Sequence, residues 1–222
     1  MIKNNGDISA GTAALIAGLA LFIPTAPYAE FFVFGKLIIH NDAARTVQNL
    51  TEHSQLFLSG IFAILFTFII DVVCAWAIYI FLKPVNASLS LLAAWFRVVS
   101  VVIATVALFN YIQVYQALTA PSGMALDNEH ILQLVNVRRF GMHIAYIFFG
   151  IYLVLIGVLI LNATYIPKLL GALLALAGLA WIISSLQPYF FKEYQLPWLL
   201  AFTIGELFWM IWLLVKGSRF KG

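Results

Sequence analysis

Residues 55–82 read QLFLSGIFAILFTFIIDVVCAWAIYIFL, and between Gln55 and Leu82 the only charged residue is Asp71. A helix needs roughly 20 predominantly apolar residues to cross the hydrocarbon core of a bilayer. This stretch exceeds that length and stops at Lys83-Pro84, a charge followed by a residue that cannot continue a helix. It predicts a transmembrane helix, and the chain on either side repeats the pattern.

Downstream, a second such run covers Ser88 to Leu118 and closes at Ala120-Pro121-Ser122-Gly123. Further runs follow from Phe140 to Leu161, from Leu169 to Leu186 between Pro167 and Pro188, and from Trp198 to Val215. Upstream, Ile8 to Thr25 is apolar and ends at Pro24 and Pro27. Lys3 ahead of it could open a signal peptide, but Pro27-Tyr-Ala-Glu-Phe-Phe32 is a poor cleavage site, so the run reads as an uncleaved first helix. Tyr28 to His53 is mixed: Phe31 to Ile39 is too short to cross comfortably and reads as interfacial or re-entrant. Asn41-Asp42 can cap a short polar helix, Ala43 to Leu50, and Asp127 can cap an amphipathic surface helix through Val137. No low-complexity linker divides residues 1–222, so one all-α bundle of about six transmembrane helices is expected.

Composition agrees. Of 222 residues, 64% are hydrophobic, 15% aromatic and 9% charged, with mean hydropathy +1.00. A soluble domain carries roughly 25% charged residues to dress its surface for water. The bilayer is therefore the first partner. A formal charge of +3, scattered along the chain with no basic patch, excludes nucleic acid. The lone cysteine, Cys74, sits in an apolar run with no histidine close in sequence and reads as an inert buried thiol.

With six spans, one face carries Lys3, Lys83, Lys168, Lys216, Arg219 and Lys221, and the other Lys36, Arg45, Arg138, Arg139 and Lys192. The bases are nearly balanced, so loop length decides: Lys83 and Lys168 lie in the tightest loops and the tail adds three bases. Both termini are expected in the cytoplasm.

Three charges remain at membrane depth: Asp71, Arg97 and Glu206. Each costs about 2.5–3.5 kcal/mol on the insertion scale and asks for a reason. Asp71 lies 11 residues before Leu82, Arg97 nine after Ser88 and Glu206 ten before Lys216. At 1.5 Å per residue, all three sit roughly 13–17 Å from the same boundary. Arg97 is expected to pair with Asp71, Glu206 or both. Such a cluster either fixes helix register or forms a binding or proton-handling centre. Two acids against one base favour the latter, because one acid must stay protonated or meet a visiting cation.

His143 opens the fourth span, with Gly150 and Gly157 following on its face. That stripe, and Gly171, Ala175 and Gly178 on the fifth span, read as close helix packing. Asn110, Gln113 and Gln187 are polar points that could line a cavity with His143. Metal-binding and nucleophile motifs are missing. His40, Asp42, Glu52 and His53 share one loop and read as solvated side chains rather than metal ligands. Asn49-Leu-Thr51, Asn86-Ala-Ser88 and Asn162-Ala-Thr164 match the glycosylation triplet, which is common by chance.

Several segments, taken in order, carry a resemblance. They are Asn41-Asp42-Ala43-Ala44 to Glu52-His53, Asp71-Val72-Val73 to Ala77-Ile78-Tyr79, Leu82-Lys83-Pro84-Val85-Asn86, and Leu91-Leu92-Ala93-Ala94 to Arg97. His143, Ile147-Phe148-Phe149-Gly150, Ile166-Pro167-Lys168-Leu169-Leu170-Gly171, Gly205-Glu206 and Trp212 to Gly217 follow. Together they resemble the bacterial membrane family catalogued as domain of unknown function 4386. The resemblance implies a bacterial inner-membrane protein of about six spans, carries no activity or cofactor, and touches Asp71, Arg97, His143 and Glu206. Asn41 departs from it, standing where a family glycine often precedes the loop aspartate.

Three functions fit these residues. The first is a binding or transport-like protein whose polar core holds a small molecule, ion or lipid. The second is a structural or sensory subunit of a membrane assembly, with a filled core. The third, an intramembrane enzyme using Glu206 or Asp71 as acid/base with His143 assisting, is weakened because His143 falls more than a helical turn from the acids. The first is preferred.

Overall fold

The computed structural model describes residues 8–23, 25–39, 42–119, 127–190 and 201–220. Every regular element among them is helical. Helix α1 spans Ala10–Phe22, and after a single turn at Thr25–Pro27 comes a π-helix, Tyr28–Phe34, which passes into the turn Gly35–Leu37. Then follow α2 (Ala43–Glu52), α3 (Ser54–Leu82), α4 (Ala87–Thr119), α5 (Asn128–Asn162), α6 (Lys168–Phe190) and α7 (Ile204–Val215). Among the described residues, six stretches are long and apolar enough to cross a membrane: Ala10–Leu37, Ser54–Leu82, Ala87–Thr119, Asn128–Asn162, Lys168–Phe190 and Ala201–Arg219. This is an all-α, multi-pass membrane protein. Its helices leave Phe62, Ile69, Trp76, Val102, Val106 and Phe109 exposed, side chains that belong against lipid rather than water.

The helix ends follow local chemistry. Asp42 caps α2 by accepting from the Arg45 amide at 3.0 Å, and Asp127 caps α5 by accepting from the His130 amide at 2.7 Å. Asn86 caps α4, its Oδ1 accepting from the Leu89 amide at 2.9 Å.

Three expectations need correction. The surface helix expected over Asp127–Val137 and the span expected from Phe140 are one helix, α5. No Gly or Pro interrupts residues 128–140, and Arg138, where a polar break would fall, is buried against an acid. Phe31–Ile39 is not one piece: its first residues belong to the π-helix Tyr28–Phe34 and the next to the turn Gly35–Leu37. The fifth span does not stop short of Pro188, since α6 runs through it to Phe190. The expected positions of Lys3, Pro24, His40, Asn41, Ala120–Gly123, Lys192, Trp198 and Lys221 lie outside the described residues.

The chain forms two compact units: residues 1–22, 70–100 and 146–222 make the first, and residues 23–69 and 101–145 the second. In the first, Ile78, Phe81, Tyr152, Ile156, Leu174 and Leu213 are fully buried. Here α5 and α6 meet backbone to backbone. A Cβ added at Gly157 would lie 2.6 Å from the Gly171 carbonyl oxygen, and one at Gly150 2.5 Å from that of Gly178. The pairs 157/171 and 150/178 run in opposite senses, so the two glycine stripes interlock as antiparallel partners. In the second unit, Phe34, Phe57 and Tyr111 form an aromatic knot with centroids 4.8–5.8 Å apart. Gly60 makes room for it: a Cβ there would meet the Phe34 ring at 2.8 Å and Val33 at 2.9 Å.

Candidate functional site

The first unit holds Asp71, Arg97 and Glu206. Register brings the first two together. The Ser90 hydroxyl donates to the Tyr79 carbonyl at 3.0 Å and ties α4 to α3. Asp71 lies eight residues before Tyr79 and Arg97 seven after Ser90, about two turns each in an antiparallel hairpin. Arg97 Nη2 donates to Asp71 Oδ1, and its Nη1 donates to the Tyr152 hydroxyl at 3.0 Å. The guanidinium also sits over the Tyr152 and Phe149 rings, 4.9 and 5.5 Å from their centroids. The Arg97 side chain is 4% exposed and that of Asp71 28%. Arg97 Nε is buried with no hydrogen-bond partner among the described residues.

Glu206 is held differently. It stands in the first turn of α7, where the positive end of the helix favours an acid. Gly205 lets that turn close on α6, since a Cβ there would lie 2.9 Å from the Leu173 carbonyl oxygen. Trp181 Nε1 on α6 donates to Glu206 Oε1 at 2.8 Å. Arg97 and Asp71 lie within electrostatic reach of the carboxylate, but Glu206 makes no ion pair among the described residues.

The other polar candidates are spread between the units. His143 belongs to the second unit, is half-buried, and has the Arg139 charge beside it. Asn110, also in the second unit, spends its amide on the Ala107 carbonyl at 3.0 Å, and Gln113 is exposed. Gln187 belongs to the first unit and is half-buried. Cys74, one turn along α3 from Asp71, is fully buried with its thiol 3.9 Å from the Ala17 carbonyl. Among the described residues no three His, Cys, Asp or Glu side chains converge as a metal site. Outside the spans, burial pushes the Tyr165 hydroxyl up from its usual range, and it donates to the Phe81 carbonyl at 3.2 Å.

Sequence reasoning missed a second buried arginine. In the second unit, Arg138 grips Glu30 with both terminal nitrogens: Nη1 donates to Oε2 at 3.2 Å and Nη2 to Oε1. Its guanidinium also lies over the Tyr111 ring at 4.8 Å and the Phe34 ring at 5.3 Å. On the sequence, Glu30 falls in the mixed segment Tyr28–His53, and Arg138 with Arg139 on a loop face ahead of the fourth span. The available signal was the run Phe31-Phe32-Val33-Phe34, which drags an adjacent acid into an apolar setting.

The pattern of residues over nearly the whole chain matches one family. The domain of unknown function 4386 (DUF4386) aligns with residues 14–217. The chain belongs to that family. An uncharacterised protein of Archaeoglobus fulgidus is 34% identical over 160 residues, which cover 72% of this chain and 83% of the relative. No solved structure matches the chain.

Proposed function

We propose that this member of the DUF4386 family is a binding or transport-like protein that holds a small molecule, ion or lipid at Glu206, beside the Asp71–Arg97 pair. The observation that carries the reading is the charge balance around Arg97. Asp71 answers Arg97, which leaves Glu206 with a neutral indole donor and no ion pair among the described residues. A carboxylate at membrane depth is costly, and a ligand that needs this one offsets the cost. Asp71, Arg97 and Tyr152 act as the frame that sets helix register, and Glu206 is the group that changes partners.

The test is thermal unfolding of the purified protein in detergent against inorganic cations, organic cations and lipids. At least one should raise the midpoint of the wild type in a saturable way and leave Glu206→Gln unmoved. Shifts that are the same in both proteins across the whole panel would remove Glu206 from any binding role.

The same proposal takes in a bacterial inner membrane, which the family resemblance implies, and both termini in the cytoplasm, which the short loops at Lys83 and Lys168 and the basic tail support. Cys74 is buried, so Cys74→Ala gives a silent background. Asn49→Cys and Asn128→Cys in that background should react with a membrane-impermeant thiol reagent in intact cells. Reaction only after the membrane is broken would invert the topology.

A further inference from the structure

The Glu206 carboxylate accepts from an indole that is itself packed against two further aromatic rings. The Trp181 indole that donates to Oε1 packs on the Tyr146 ring with centroids 4.7 Å apart, and meets Phe149 edge-on at 6.0 Å and 82°. All four side chains are only half-buried. Oε2 accepts no hydrogen bond among the described residues, although a carboxylate offers about four lone-pair sites. Phe149 already carries one cation, because Arg97 lies over its ring at 5.5 Å. That positive charge is answered by Asp71, so the charge of Glu206 is unspent.

Resting on the reading of Glu206 above, we infer that this site takes an alkylated organic cation of the quaternary ammonium class. The ligand charge lies against Glu206, and its alkyl groups lie against Trp181, Tyr146 and Phe149. Three alternatives explain the pattern less well. A divalent cation such as calcium needs about six to eight oxygen ligands, whereas this group offers one carboxylate. A primary ammonium must satisfy three N–H donors, and the rings supply no strong acceptors. A proton alone would neutralise Glu206 but would gain nothing from the rings. A quaternary ammonium has no N–H to satisfy and is weakly hydrated, and aromatic faces attract it by electrostatics.

The experiment uses the full-length protein in detergent, titrated with tetramethylammonium and tetraethylammonium chloride, with sodium and magnesium chloride as controls at equal ionic strength. Thermal midpoint and tryptophan fluorescence are both followed. A saturable response to a quaternary ammonium ion is expected in the wild type and not with the inorganic ions. Glu206→Gln should abolish it, Tyr146→Leu should weaken apparent affinity roughly three- to thirtyfold, as loss of one cation–π partner implies, and Tyr146→Phe should largely retain it. A response to sodium, magnesium or pH that Glu206→Gln removes, with none to the quaternary ions, would overturn the ligand class and leave the proposed function standing. Absence of any Glu206-dependent response would overturn both. A quaternary-ion response that survives in Glu206→Gln and Tyr146→Leu would place the ligand elsewhere and overturn the site.

Discussion

Arg138 takes the Glu30 carboxylate with both of its terminal nitrogens and has the Tyr111 hydroxyl beside it, whereas Arg97 gives one terminal nitrogen to Asp71 and the other to the Tyr152 hydroxyl. In other respects the two centres are alike. Each guanidinium lies over one phenylalanine and one tyrosine ring, each arginine side chain is at most 8% exposed, and each acid is near 30% exposed, at 28% for Asp71 and 31% for Glu30. The difference lies in charge. The Arg138 centre sets one base directly against one acid, with Arg139 within electrostatic reach as a further base. The Arg97 centre balances Asp71 and has Glu206 within electrostatic reach as a further acid. A balanced, two-pronged pair suits a fixed joint, and Glu30 sits on a π-helical turn that needs one. A centre with a spare acid suits exchange.

The largest effect should come from breaking either pair, and it should be lopsided. Removing one member of a buried pair costs roughly 3–5 kcal/mol, because the other is stranded. An arginine cannot shed its proton inside a protein, whereas a stranded carboxylate can neutralise itself by taking one up. Asp71→Leu and Glu30→Leu should therefore lower stability in detergent more than Arg97→Leu and Arg138→Leu. Each double substitution should recover part of the loss. Thermal unfolding of the two mutant cycles measures this. Strict additivity in either cycle would dissolve that pair, and equal losses from acid and base removal would break the argument from neutralisation.

The sequence made the membrane class plain, because runs of more than 20 apolar residues have few other uses. The first unit's charges stood out for the same reason: Asp71 and Arg97 interrupt long apolar helices, so their cost was visible residue by residue. Glu30 and Arg138 were hidden by context. Glu30 follows two prolines and precedes a short apolar run, which reads as a loop until a π-helical turn carries it onward. Arg138 sits beside Arg139 near the end of an apolar stretch, where charges normally meet water. Only tertiary contact distinguishes a snorkelling arginine from a buried one. The aromatic partners of Arg97 were illegible too, because Tyr152 and Phe149 are ordinary residues for a membrane helix until α5 is packed against α4.

The smallest expected effect is also the one that best separates Asp71 from Glu206. Asp71→Asn and Glu206→Gln remove the same charge by the same near-isosteric change. In the first, Arg97 keeps its buried positive charge and loses the carboxylate bonded to it, so stability should fall by an amount in the range given for stranding a partner, about 3–5 kcal/mol. In the second, the amide oxygen still accepts from Trp181 Nε1, and the cost of keeping a carboxylate charge in an apolar setting is gone. Glu206→Gln should therefore leave stability within about 1 kcal/mol of wild type or raise it slightly, a size normal for a substitution that strands nothing. Thermal unfolding of both variants beside the wild type makes the comparison. If Glu206→Gln costs as much as Asp71→Asn, Glu206 is a second counter-charge for Arg97, the first unit is as closed as the second, and no acid is left over to meet a ligand.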